Sequence, residues 1–560
     1  MKRVIGVGLD AAEWWLVEDM MRSGRMPHLS RLAERGTQAE LKNTREYRSE
    51  LPWTLFWTGR AAADNGYWST IRFDPDTYDV YEGGAYEGQP FWRDMPAGSV
   101  VTFDLPHIPV FRDRDDVQVT AWGAHSPQYA RTSQPPGTLT DLEARYGPHP
   151  AFEQDHEACW FDAEHMRTLT HDLLVGAERR ARIVSDLAGD DGWELLLTVM
   201  GEPHSIGHHG WHGVLPDHPA ASHPSAQEAG EQVREVYAAM DAAIGRIAES
   251  APDAAVVVFA LHGMQANTNE LTSFLVLPEL LHRAHFGTPS LRGAPPVGRP
   301  LDLRVPADHH SWGMEVVRLR AESLPERIRR DLRVLAPEPL MRAKHAAMRR
   351  LGRPVPGREP YGSTPITGES DATPEELRDR RVDCQWQPPC WWSSHWPEMP
   401  WFALPTYSDG HIRINLAGRE RDGIVPRGDY DRVCEELASM LRRLTNAANG
   451  RPAIEDISFV RRDDPMDPEG PTADVVVFWS EPAFTFDHPE HGRIGPLPYR
   501  RTGEHSSNGF VIAAGEGIPT ASLGRRDAAD LPPTLLGLLG RSAPADVGGV
   551  DLLASERETA

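Results

Sequence analysis

The residues best suited to chemistry in this chain stand where regular elements meet loops. Asp10 follows the apolar run Val4-Ile-Gly-Val-Gly-Leu9. It therefore stands at the carboxyl end of a buried strand, the edge where open α/β sheets bind ligands. Taken alone, it serves equally well as a helix cap. Ser49 comes just before Pro52-Trp53-Thr54 and nine residues before Thr58-Gly59. A serine there can act as a nucleophile, and the free N–H groups of a helix N-terminus favour phosphate. Gly201-Glu202-Pro203-His204-Ser205-Ile206-Gly207-His208 follows the run ending at Met200, and His209, His212, His218 and His223 lie beyond it without an assigned role. His262-Gly263-Met264 follows the run ending at Ala260, and Thr502-Gly503-Glu504-His505 precedes the one beginning at Phe510.

Two other stretches invite a chemical interpretation. Gly6-x-Gly8-x-x-Ala11 has the form of a dinucleotide fingerprint, but Asp10 inside that turn would repel a pyrophosphate. In Gly410–Glu420, alternating Ile412, Ile414 and Leu416 mark a strand, and Arg413 or Arg419 could clamp an anion.

The elements that must position these residues are those of an α/β protein. Val4–Leu9, Trp193–Met200 and Ala254–Ala260 read as continuous buried strands, and Val233, Val236, Tyr237, Met240, Ile244 and Ile247 form a helical stripe between the last two. Strand, helix, strand in that order predicts a mostly parallel sheet with helices on both faces. Val475–Trp479 and Phe510–Ala514 read as further core strands, Val433–Leu444 as a helix, and Pro27 and Gly36 as the limits of an early one. The alternation fails between 276 and 400. That stretch holds the Pro/Gly-rich segment Arg353–Thr373 and begins the tryptophan-rich Cys384–Trp401, which suits cap core better than a stacking wall. The expected division is 1–275 and 401–560 for the two parts of a catalytic core, with 276–400 inserted as a cap.

Bulk composition narrows the function further. A net charge of −24 over 560 residues disfavours a polynucleotide partner, though it allows a local basic pocket for a small anion. The four cysteines show no metal-type pairing and read as free thiols, and no apolar run is long enough for a membrane span. The expected setting is cytoplasmic, away from membranes. Oligomeric state is open, a homodimer being among the options.

Taken together, the motifs resemble the type I phosphodiesterase/nucleotide pyrophosphatase branch of the alkaline phosphatase superfamily. The resemblance covers roughly 1–275 and 400–555. It rests on Asp10, Ser49 with Thr58-Gly59, Pro203 with Gly207-His208, His262-Gly263-Met264, Gly503-x-His505, and Asp530-Leu-Pro-Pro533-Thr534 with Gly548-Gly549, in family order. It implies an alkaline phosphatase-like fold and a hydrolase of a small phosphorylated substrate, with Ser49 as nucleophile and a metal-activated water.

The resemblance also implies one or two divalent metals, Zn2+ first, with Mn2+ or Fe2+ as alternatives. Carried over position by position, His204, His208 and His505 would hold one metal, and Asp10, His262 and the Ser49 oxygen the other. Two positions depart from the pattern: His204 replaces an aspartate, and Leu261 replaces the second carboxylate ligand. Three neutral imidazoles still form a recognised zinc set. With both metals bound, the loss of two carboxylates favours a dianionic monoester over a diester. Glu202, Arg413 and Arg419 are the candidate substrate-binding groups. Alternatives on the same fold are a sulfatase, a phosphonate hydrolase or a phosphotransfer mutase. Leu261 also prompts a catalytically degraded binding protein.

Overall fold

The computed structural model of the chain describes residues 2–292 and 368–554, apart from 85, 124–129, 153–159, 371 and 386, and only isolated positions between 293 and 367. Val4–Leu9, buried along its whole length, lies inside a nine-stranded sheet. Leu195–Met200 and Ala255–Ala260 flank it, both parallel to it. Beyond the first neighbour come Val100–Phe103, Val117–Thr120 and Thr132–Gln134; beyond the second come Asn508–Ala514, Thr37–Lys42 and Ala521–Asp527. Five pairings are parallel. The three antiparallel ones involve Asn508–Ala514 and the Thr132–Gln134 edge.

Both faces of the sheet are covered, which is why its central strands lack alternation. Ile5, Val7 and Leu9 pack with helices Trp14–Arg22, Pro27–Glu34, Ala163–Gly189 and Ala226–Ser250. Val4, Leu197, Val199, Val257 and Phe259 pack on the other side with Trp53 and Phe56 of helix Pro52–Thr58 and with Leu531 and Leu535 of helix Leu531–Leu538. Each such side chain contributes roughly 1.5–3 kcal/mol when fully buried.

The Gly6-x-Gly8 pair serves this packing. A Cβ on Gly8 would stand 2.7 Å from the Trp53 ring and 3.0 Å from Val199. The indole thus lies against the strand, and a pyrophosphate has no part in the motif. Gly8→Ala is expected to cost about 1–3 kcal/mol through overpacking, read as a lowered urea midpoint. Unchanged stability would show that the indole moves aside freely.

A second apolar core follows. Trp401–Leu404, Gly410–Ile414, Val475–Trp479 and Ile454–Phe459 form an antiparallel sheet in that order. It packs with Leu275–Leu281, Trp392, Trp396 and Leu437. Val475–Trp479 is therefore not a strand of the central sheet; among the described residues, the chain after Ala260 next enters that sheet at Asn508–Ala514. A strand covered on both sides reads the same in either sheet, so hydrophobicity could not distinguish them.

Trp396 stacks on Phe402 in this core; Trp386 lies outside the described residues. Of the Arg353–Thr373 segment, 353–367 and 371 also lie outside them. Glu369 accepts N–H bonds from Gly137 and Leu139, tying the returning chain to the sheet edge. Cys384, Cys390 and Cys434 are buried free thiols, and Cys159 is not among the described residues. No helix of the described residues is long and apolar enough to cross a membrane.

Candidate metal and nucleophile centre

Three adjacent parallel strands deliver the candidate residues at their carboxyl ends. Asp10 directly follows Val4–Leu9, helix Glu202–Gly210 starts just after Leu195–Met200, and His262 lies two residues beyond Ala260. Strand Gly503–His505, antiparallel to Met264–Ala266 and with His505 opposite Met264, adds the fourth segment. Backbone strain gathers along the same edge: Ala11, Asp104 and Ala121, each just past a parallel strand, have φ of 54°, 62° and 54°. Such conformations cost on the order of 1 kcal/mol or more and persist where the surroundings enforce them.

His204 and His208, one helical turn apart, bring their Nε2 atoms within 3.2 Å. With His505 they form a group whose ligand atoms all lie within 4.8 Å of one another. The His208 Nδ1–H donates to the Gly503 carbonyl at 2.7 Å, which leaves Nε2 as the bare nitrogen. Ser49 Oγ lies 3.1 Å from His505 Nδ1, and His505 Nε2 is buried without a partner. The His262 ring lies 4.5 Å from that of His505, and its Nε2 is 3.2 Å from Asp10 Oδ1. The same oxygen accepts the Trp53 indole N–H at 2.8 Å. Asp10, Ser49, His204, His208, His262 and His505 thus form one contiguous cluster.

Electrostatics favour the ligand forms of these groups. Burial raises the Asp10 carboxyl, but its bond to His262, the nearby His204 and the Trp53 N–H outweigh that and hold it at about 2. Burial and the imidazoles of His262, His204 and His208 keep His505 well below its ordinary value, hence neutral. His204 and His208 are buried and His505 half-buried, and three such imidazoles, one with an orphaned nitrogen, suit a divalent ion of zinc type.

Ser49 does not open the helix. It sits in a turn after Tyr47, whose φ is 58°, and helix Pro52–Thr58 begins three residues later. The helix has only seven residues and opens on Pro52, which has no N–H to offer a phosphate.

The remaining candidates have other partners. Glu202 is buried against Arg180 Nε at 3.1 Å and His149 Nε2 at 3.3 Å, and Arg180 Nη1 reaches Asp104 at 2.7 Å. Burial raises the Glu202 carboxyl, but Arg180 and His149 prevail and hold it at about 2. Arg413 donates to Glu420 at 2.8 Å and to the Thr472 carbonyl, while Arg419 pairs with Asp474 and Glu420.

Several neighbours escaped the sequence motifs. Arg48, beside Ser49, donates from Nη2 to Asp409 at 2.9 Å and Glu504 at 3.3 Å. Glu13 Oε2 accepts the Met264 N–H at 3.0 Å and would lie 2.2 Å from a Cβ on Gly263. The available signals were charges flanking Ser49 and His505, and a glycine that no side chain could replace.

Burial pushes Glu13 and Glu50 up to about 7, only partly offset by N–H bonds such as those of Met264 and Tyr407. Their contribution to stability is whole below the unfolded carboxyl value and is lost as pH rises through about 7. Glu202 acts oppositely: its contribution is present above about 4.5 and lost as pH falls toward about 2. Stability is therefore expected to peak on the acid side of neutrality and to fall by about 1–3 kcal/mol per buried glutamate toward pH 8. Urea midpoints against pH measure this, and Glu13→Gln should flatten the alkaline arm. A midpoint that rises steadily from pH 5 to about 8 would contradict it.

Residues 4–334 match the family model for type I phosphodiesterase / nucleotide pyrophosphatase. Among solved structures, human ectonucleotide pyrophosphatase / phosphodiesterase 5 (ENPP5, NPP5) is 11% identical with a TM-score of 0.44, covering 98% of this chain and 97% of its own. Phosphonoacetate hydrolase from Sinorhizobium meliloti, in complex with phosphonoformate, is 12% identical with a TM-score of 0.46, covering 97% and 96%. A mutant of alkaline phosphatase PafA is 10% identical with a TM-score of 0.47, covering 99% of each chain. No curated protein sequence gives a significant match.

Proposed function

Because the chain belongs to the type I phosphodiesterase / nucleotide pyrophosphatase family, we propose that it hydrolyses a small phosphate ester, with Ser49 as nucleophile beside a divalent metal. His204, His208 and His505 would hold the metal, Zn2+ being the ion their imidazoles suit best. The observation that carries this reading is the convergence of these three imidazoles with Ser49 Oγ, 3.1 Å from His505 Nδ1.

The chain's own residues do the following. His208, held by the Gly503 carbonyl, presents a fixed nitrogen. With Nε2 reserved for the metal, His505 Nδ1–H donates to Ser49 Oγ, which holds the oxygen in place and leaves it a lone pair for phosphorus. Arg48, anchored on Asp409 and Glu504, fixes the turn on one flank of the nucleophile. When bound, the metal supplies Lewis acidity and positive charge for the developing oxyanion. Asp10 is the one carboxylate in the cluster of six, so the loaded centre is positive and favours an anionic phosphoryl group. The acidic surface of the whole chain disfavours a polynucleotide.

A panel of aryl phosphomonoester, phosphodiester, sulfate and phosphonate, assayed with several divalent metals, tests the reading. Metal-dependent turnover of a phosphate ester, the monoester above the diester, is the expected result. Exclusive turnover of the sulfate, or none with any metal, would refute it.

A further inference from the structure

We propose that this centre is built for one metal, and that Asp10 and His262 form a hydrogen-bonded pair beside it instead of a second ligand set. The proposal rests on the metal-bound phosphate-ester hydrolase described above.

The cluster holds two groups of candidate ligands with different chemistry. His204, His208 and His505 offer three converging nitrogens. The other group has one carboxylate and one imidazole, Asp10 and His262, and its third neighbour in the chain is Leu261. Leu261 is 1% exposed and packs with Val199, Phe259 and Trp53 in the apolar core. A hydrocarbon offers no ligand, and its backbone carbonyl is taken by the Asn43 amide at 3.1 Å. Ser49, the remaining oxygen, is bonded to His505. A catalytic ion of zinc type ordinarily has three protein ligands, which only the first group provides.

Charge leads to the same division. The imidazoles are neutral ligands, so Asp10 alone would oppose the ions in this cluster. One dication leaves a net charge near +1, and two leave about +3 in a buried site, where uncompensated charge is costly.

Asp10 has a different use. A carboxylate only accepts, so His262 Nε2 carries the proton it shares with Oδ1, and the Trp53 indole donates to the same oxygen. The indole is seated by the missing side chain of Gly8. Strand, indole, carboxylate and imidazole thus fix the His262 ring against His505. Its Nδ1 is left buried without a protein partner. A buried acceptor of this kind is satisfied by a donor bound with the metal, a water or a substrate hydroxyl. His262 is then a positioned acceptor at the edge of the metal site.

The test is calorimetric titration of the chelator-stripped, full-length chain with Zn2+, with folding of each variant checked by circular dichroism. One tight equivalent is expected. His208→Ala should weaken it by at least about 100-fold, whereas Asp10→Asn and His262→Gln should keep one equivalent within about tenfold of the parent affinity. Two equivalents in the parent, the second lost in Asp10→Asn, would overturn the proposal. So would a single equivalent abolished by Asp10→Asn as well as by His208→Ala. Should Asp10→Asn not fold, His262→Gln alone decides between the two assignments. No tight equivalent in the parent would instead refute the metal reading itself, and this proposal with it.

Discussion

Ser49→Ala should remove turnover, lowering kcat by at least about a thousandfold while leaving the fold and the bound metal in place. The reason is local. Ser49 is the only hydroxyl side chain within the contiguous cluster of six candidate residues, and it is bonded to His505 at 3.1 Å. The alanine removes the attacking oxygen but none of the three nitrogens that group as a metal site. A loss in kcat with metal content unchanged would therefore separate the nucleophile from the ligands. Substantial residual activity would mean that water attacks directly and that Ser49 merely orients the His505 ring. Loss of metal together with activity would make Ser49 a ligand first.

Arg180→Met should lower stability by about 3–5 kcal/mol, the usual cost of removing one partner from a buried ion pair. Arg180 is fully buried between Asp104 and Glu202, both also fully buried. Without it two carboxylates remain in the interior, with His149 the one other charge partner of Glu202 given by the geometry. The same change should reach the centre, because Glu202 begins the helix that carries His204 and His208. Zn2+ affinity is expected to fall by about 10–100-fold, the scale of losing an outer support of a ligand. Arg180→Met with Glu202→Gln should recover part of the stability by removing one stranded charge. Urea unfolding and a Zn2+ titration measure the two effects. A single variant within about 1 kcal/mol of the parent would show that the network opens to water at no cost.

Much of this architecture was legible in the sequence, because the physics behind it is local. Val4–Leu9 and Ala255–Ala260 are continuous apolar runs, and burial on both faces of a sheet leaves that signature. The stripe from Val233 to Ile247 marks one face of helix Ala226–Ser250. Asp10, His204, His208, His262 and His505 stood at element ends, and a strand's carboxyl end is where a parallel sheet exposes side chains to a common cleft.

What stayed hidden depends on contacts between distant segments. Glu202 adjoins the histidines in sequence, yet its partners Arg180 and His149 come from elsewhere in the chain. The trace of this was a charged Arg180 between Ala177, Ala181 and Val184 on the buried stripe of helix Ala163–Gly189. Arg413 and Arg419 fit a phosphate clamp in type, but Glu420 and Asp474 engage both guanidinium groups. Ser49 stands three residues before its helix, because Pro52 marks the first turn. The membership of Val475–Trp479 in a separate sheet follows from pairing, which composition does not encode.

The decisive measurement is a rapid acid quench during turnover of an aryl phosphomonoester, followed by peptide mass spectrometry. A single phosphoryl group on the peptide containing Ser49, absent in Ser49→Ala and without metal, is the predicted result. Sustained turnover with Ser49 unmodified, or a phosphoryl group on a histidine instead, would contradict it.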